Sequence, residues 1–337
     1  MHDLFTNDAA QIIAAGFFVG IAVGITGMGG GALMTPALIF LGVGNTSSIV
    51  TADLTAAAVY KSGGALVHSR QGSPNFRLAA WLISGSVPMA LLGPHLVAWF
   101  VNPDDVEKLL KECIGFALLL AASTYAIRLY LQLVRVQRGR AHVEGDPPIR
   151  PIPTLLTGAL GGLLVGVTSV GSGSVIMVIL LILYPTLGPL RLVGTDLVQA
   201  VPLVLAAAIS NISVNGLEWD LTIPLIIGSV PGTLLGARFA SRVPQSVIRR
   251  AIVIVLTMSG IALLDKAGWA PLGAGDNDTH PVLIGVIGVA MLVVVPLVWG
   301  VLRKTQGLPM FGAPTVAQLE DGPDAAEAVH RPDTRAP

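Results

Sequence analysis

Apolar positions fall into runs separated by short polar breaks, at about 10–26, 30–42, 49–68, 77–100 and 109–134. A second set follows at about 153–168, 171–184, 193–213, 221–240 and 247–265, and a last run covers about 281–302. A helix needs roughly 20 apolar residues to cross a bilayer. The third, fourth and fifth runs of each set meet that length, and so does the last run. The first two of each set are short. They are parted by Gly27-Met28-Gly29-Gly30-Gly31 in one half and by Ser169-Val170-Gly171-Ser172-Gly173 in the other. Each short pair reads as two half-helices meeting at a glycine-rich break.

The two sets are one pattern written twice. At an offset of 142, Gly20, Gly24 and Thr26 match Gly162, Gly166 and Thr168, and Gly29 and Gly31 match Gly171 and Gly173. One inserted residue later the offset is 143, where Asp53-Leu54 matches Asp196-Leu197 and Gly85-Ser86-Val87-Pro88 matches Gly228-Ser229-Val230-Pro231. A four-residue word and a buried acid in register mark an internal repeat.

Bases assign the sides, because Lys and Arg favour cytoplasmic loops. The loop near 69–77 carries Arg70 and Arg77, and the linker 135–150 carries Arg135, Arg138, Arg140 and Arg150, so both read inside. The loop 101–108 opens Asn102-Pro103-Asp104-Asp105 and reads outside. In the second half the loop matching 69–77 is 214–220, which holds Glu218 and Asp220 and no base, so it reads outside; the loop near 238–250 is basic and reads inside. Matching loops on opposite sides make the halves inverted repeats. The expected architecture is an all-α integral membrane protein of two inverted repeats. Each is a glycine-broken re-entrant helix hairpin plus three transmembrane helices, and one extra C-terminal span follows. The first repeat covers 1–134, a cytoplasmic linker 135–152, the second repeat 153–266, an external loop with the last span 267–304, and a disordered cytoplasmic tail 305–337. The N-terminus is then outside and the C-terminus cytoplasmic, in the plasma membrane.

Composition agrees and narrows the function. Of 337 residues 53% are hydrophobic and 12% charged, against about 25% charged in ordinary soluble proteins. Twenty bases balance 20 acids, so no basic excess serves a nucleic-acid backbone. The single cysteine, Cys113, permits neither an internal disulfide nor a CxxC site. Met1-His2-Asp3-Leu4 lacks the basic region of a secretory signal, so the first apolar run is expected to remain. No metal, haem or flavin signal suggests a cofactor. The lipid bilayer and a small anionic substrate are the expected partners, and a homo-oligomer is left open.

Three features could carry chemistry. The glycine breaks Gly27, Gly29, Gly30, Gly31 and Gly171, Gly173 would leave helix ends with free N–H groups, which bind anions; close helix packing is the alternative use of such small residues. Ser169 and Ser172 add hydroxyls. Asp53 and Asp196 are acids inside apolar runs, a placement that points to a proton or coupling-ion path or, since Thr-Ala-Asp and Gly-Thr-Asp open helices well, to N-caps. Thr51 and Thr195 stand near them. At 100° per residue Asp53, Tyr60, Lys61, Gly64 and His68 share a helix face, and Gln199 and Asn211 lie on the matching face from Asp196. Lys61 could attract an anion or pair with Asp53.

These residues carry a resemblance. Gly-x-x-x-Gly-Ile-Thr-Gly-Met-Gly-Gly-Gly (20–31), a run with Pro36, Gly-Ala-Leu-Val-His-Ser-Arg-Gln-Gly (64–72), then Gly-Ser-Val-Pro and Leu-Leu-Gly resemble the TauE/SafE sulfite exporters over about residues 10–265. The resemblance implies a secondary transporter of sulfite, sulfonates or related organosulfur anions, with Gly27, Gly29, Gly30 and Gly31 in the first-half motif and Ser169, Gly171, Ser172 and Gly173 in the matching place. Gly171-Ser172-Gly173 and Asp53 depart from the family pattern. The expected activity is export by alternating access, coupled to protons or cations through Asp53 or Asp196. A passive anion channel is the alternative, and an intramembrane serine hydrolase a weaker one.

Overall fold

The computed structural model describes residues 7–26, 30–70, 74–137, 147–171, 173–187, 189–239, 245–268, 281–305, 307 and 309. Among them eleven helices form and no strand does. They are α1 (Asn7–Thr26), α2 (Gly31–Leu41), α3 (Thr46–Arg70), α4 (Phe76–Phe100), α5 (Pro103–Gln137), α6 (Pro151–Thr168), α7 (Val175–Leu183), α8 (Pro189–Asn215), α9 (Trp219–Phe239), α10 (Gln245–Lys266) and α11 (Pro281–Thr305). Five of the described helices, α1, α4, α6, α8 and α9, are long and apolar enough to cross a membrane.

The glycine-broken pairs are unequal, unlike the expected pairs of half-helices. α1 has 20 residues and α6 has 18, whereas α2 has 11 and α7 has 9. The first two therefore reach about 27–30 Å and the others about half that. The physical reason lies at the starts. α1 begins on polar Asn7 before its apolar run, and α6 begins on Pro151, a residue suited to a first helical turn.

Glycine stripes set the packing. Gly158, Gly162 and Gly166 of α6 meet the Leu82, Ser86 and Ala90 carbonyls of α4 in order, so these two helices run in the same direction. Gly16, Gly20 and Gly24 of α1 meet Leu225, Ser229 and Thr233 of α9 in the same way, and Gly228, Gly232 and Gly236 answer from α9. A Cβ on Gly20 would sit 2.7 Å from the Ser229 carbonyl oxygen, a clash with backbone that cannot turn aside. Only glycine lets the axes approach so closely. The first helix of each half thus packs on the fourth helix of the other half. α3 packs on α8, and α5 on α10.

Two carboxylates pin the start of α3. Glu107 of α5 accepts the Thr46 N–H at 3.0 Å and the Thr46 hydroxyl at 2.7 Å. Glu218, just before α9, accepts the Ser48 hydroxyl at 2.6 Å. The α4–α5 and α8–α9 connections therefore lie at one end of the bundle. Lys266 of α10 donates to the Ile39 carbonyl at 3.1 Å, near the C-terminus of α2, where a cation suits the helix dipole.

Candidate functional site

The two breaks touch. A Cβ on Gly31, at the start of α2, would overlap the carbonyl of Ser169, the residue that ends α6. Ser169 has φ 61 and is the one non-glycine residue of positive φ among those described. A side chain in that conformation costs about 1 kcal/mol or more. Here its hydroxyl donates to Asp53 Oδ2 at 2.8 Å. A helix end that glycine would occupy without strain instead places a donor on a buried carboxylate.

Asp53 lies on α3, fully buried. Its Oδ2 accepts a second hydrogen bond at 2.6 Å from the Thr35 hydroxyl of α2. Its Oδ1 has no hydrogen-bond partner among the described residues and lies 3.6 Å from where a Gly30 side chain would begin, so this oxygen faces the first break. Gly30 donates its N–H to the Tyr60 hydroxyl at 2.8 Å. That donor is therefore committed to protein, and what Gly30 lends the break is its missing side chain. No side chain caps α2 or α7 at its N-terminus.

The second acid stands in a different setting. Asp196 of α8 is 4% exposed and Lys61 of α3 is 7% exposed. Lys61 interacts electrostatically with Asp196 first and with Asp53 second. One turn beyond Asp196, Gln199 is fully buried. Its Oε1 accepts the Ser86 hydroxyl at 3.4 Å and its Nε2 has no hydrogen-bond partner. Ser229, the repeat counterpart of Ser86, also has a buried hydroxyl oxygen without a partner.

The N-cap alternative for the acids falls, because each stands seven residues past the first residue of its helix, Thr46 or Pro189. Thr51 and Thr195 are turned to backbone, donating to the Ser47 carbonyl at 2.9 Å and the Arg191 carbonyl at 2.6 Å. Thr195 also accepts the Asn75 N–H at 2.9 Å, which fastens the start of α4. Asn211 donates to the carbonyls of Gly166 at 2.8 Å and Ala207 at 2.9 Å, so it holds the last turn of α6. Gly171, with φ 116, and Gly173 are buried between α6 and α7. Gly27, Gly29 and Ser172 lie outside the described residues, as does the side chain of His68 on α3. Thr35 was not singled out from the sequence; its one signal there is a hydroxyl beside Pro36 within an apolar run. Ser86 sits in the repeated Gly-Ser-Val-Pro word, which marked it without giving it a role.

A cavity of about 240 Å³ opens beside the site, lined among others by Ser47, Val50, Val97, Val167 and Asn211. Val50 is one turn from Asp53 on α3, and the cavity also reaches the end of α4. It lies on the side of the bundle where Glu107 and Glu218 hold α3.

A family model described as "Sulfite exporter TauE/SafE" matches residues 12–263. The chain is 34% identical over 257 residues, 76% of its length and 100% of the relative's, to "Probable membrane transporter protein YjnA" of Bacillus subtilis (strain 168). It is 26% identical to "Probable membrane transporter protein YdhB" of the same organism over 75% of this chain and 99% of that protein. To "Probable membrane transporter protein ORF9" of Sinorhizobium sp it is 27% identical over 84% of this chain and 98% of that one. No solved structure matches the chain. These names are those of transporters, not enzymes. The chain belongs to the TauE/SafE sulfite exporter family and is a multi-pass membrane transporter.

Proposed function

We propose that the chain is a secondary transporter of small sulfur-containing anions, sulfite or small sulfonates, held where the two glycine breaks meet. The observation that carries this reading is the contact of Gly31 with Ser169 beside buried Asp53, between two half-length helices whose N-termini lack side-chain caps. Uncapped N–H groups and the positive end of a helix dipole favour an anion. The first turns of α2 and α7 supply them, and the missing side chains of Gly30 and Gly31 let the Tyr60 hydroxyl and the Ser169 carbonyl close in, which draws the two breaks together. Lys61 draws the anion inward, and Gln199 supplies a buried donor. Asp53 or Asp196 exchanges the coupling ion.

The exchange of helix partners between halves supports an inverted repeat, with α2 and α7 as re-entrant elements. In such a fold the halves rock about a fixed central site, which alternates access between the two faces. The family's description supports export as the direction. Uptake of labelled sulfite and small sulfonates into proteoliposomes, with and without a pH gradient, tests the reading. Saturable flux, accelerated by the gradient, is expected. Absence of flux for every sulfur anion tried would overturn the substrate.

A further inference from the structure

We infer that Asp53 is the proton-binding group of the transporter, that the proton goes onto Oδ1, and that it is carried together with the anion. This deepens the transport reading and rests on it for the coupling, though the proton site stands on geometry of its own.

The two oxygens of the Asp53 carboxylate are not equivalent. Oδ2 is occupied by two donors, Thr35 at 2.6 Å and Ser169 at 2.8 Å. Oδ1 is buried, has no hydrogen-bond partner, and faces the break at Gly30. A buried carboxylate oxygen with no donor is costly. A proton on Oδ1 removes the buried charge while Oδ2 keeps both its donors, and the new O–H then needs an acceptor, which an anion in the break supplies. A metal ion suits the place poorly. Hard cations take several oxygens, and among the described residues one carboxylate oxygen is on offer, next to a tyrosine oxygen that already accepts the Gly30 N–H.

Co-transport follows from position. An ionised Asp53 beside the uncapped start of α2 repels an anion arriving there. Protonated, the same oxygen donates a hydrogen bond into the break. The favoured loaded state therefore holds both proton and anion, and each monovalent anion moves with one proton in the same direction. The charged groups that bear on Asp53 are Lys61, further along the same face of α3, and, on α8, Asp196, which shares Lys61 with it. Tyr60 feels the Asp53 charge. α2 and α6 bring hydroxyls alone. Glu107, Lys111 and Glu218 are engaged at or near the start of α3. Lys61 acts on both acids, and it is Asp53 whose Oδ1 faces the break at Gly30.

The test pairs an infrared measurement with a flux measurement. Purified protein is titrated and the protonated-carboxyl C=O band is followed in wild type, Asp53→Asn, Asp196→Asn and Thr35→Val. The band is expected in wild type and Asp196→Asn and absent in Asp53→Asn. In Thr35→Val, where the carboxyl remains but Oδ2 has lost one donor, it should move to higher wavenumber. A band that persists in Asp53→Asn, or that vanishes only in Asp196→Asn, overturns the assignment. In proteoliposomes a labelled small sulfonate, ionised across the whole pH range, is the probe. Acid outside should speed wild-type uptake several-fold and leave Asp53→Asn exchange unaffected. Wild-type uptake that follows sodium and ignores pH overturns proton coupling. The expected infrared pattern without sulfonate flux supports the proton site and refutes the substrate reading.

Discussion

Asp53 and Asp196 hold one position of a duplicated sequence, 143 residues apart, yet they stand in different chemical company. Asp53 takes two hydroxyl donors, Thr35 and Ser169. At the second acid those donors have no counterparts. The offsets of 142 and 143 put Met177 or Val178 in the place of Thr35, and Gly27 in the place of Ser169. Asp196 instead shares the field of Lys61, whose own counterpart is Val204. Each acid is also served from the opposite half: Ser169 of the second half holds Asp53, and Lys61 of the first half faces Asp196. The two acids of the repeat thus stand in different settings, hydroxyl donors on Asp53 and the charge of Lys61 foremost on Asp196. A pair of identical acids could not separate a titrating role from a structural one. This pair can.

The sharpest way to break the comparison is to neutralise each acid in turn. Asp196→Asn removes the acid whose charge acts most on buried Lys61 and is expected to lower stability by about 3–5 kcal/mol, read as thermal unfolding in detergent. Asp53→Asn keeps two oxygen- and nitrogen-bearing positions for Thr35 and Ser169 and should cost clearly less. Equal losses would dissolve the distinction. Thr35→Val removes one hydroxyl from a charged acceptor and should cost about 1.5–3 kcal/mol, whereas the same loss cannot be produced at Met177.

Ser169→Gly makes the second break resemble the first. It removes a hydrogen bond to the carboxylate but relieves a left-handed side chain, so the net loss should be about 1 kcal/mol; a loss as large as that of Thr35→Val would mean that the φ of Ser169 stores no strain. The smallest effect is at the rim. Two Thr46 donors and Lys111 hold the Glu107 carboxyl below the usual carboxylate range, outweighing the upward push of its partial burial. Its contribution is present at neutral pH and is lost as pH falls through that lowered value. Because Glu107 is partly exposed, this amounts to about 1 kcal/mol or less. Glu107→Gln should flatten the acid limb of the stability profile, and an unchanged limb would remove Glu107 from it.

Much of this arrangement was legible before the fold was known. The repeat placed both acids, and the 100° period put Tyr60 and Lys61 on the face of Asp53, where Tyr60 meets Gly30. Other parts were hidden for physical reasons. Thr35 meets Asp53 across two helices whose crossing angle no local pattern encodes. Thr-Ala-Asp looked like a cap because the true start of α3 is held from afar by Glu107. Gly20 and Gly24 matched Gly162 and Gly166 in the repeat, and the spacing did not say that these residues seat each α-helix on the other half rather than on its own. Thr51 and Asn211 lay near the predicted site in sequence, but their polar atoms turn back to helix carbonyls.

The central claim is that the two touching breaks form an alternating-access site for a sulfur anion. Counterflow in proteoliposomes tests it most directly. Vesicles loaded with unlabelled sulfonate and diluted into labelled sulfonate should take up label faster than empty vesicles. Gly31→Val, which fills the contact with Ser169, should abolish the acceleration. Label entry that rises linearly with concentration, shows no stimulation from the far side and persists in Gly31→Val would describe a channel elsewhere in the molecule and contradict the claim.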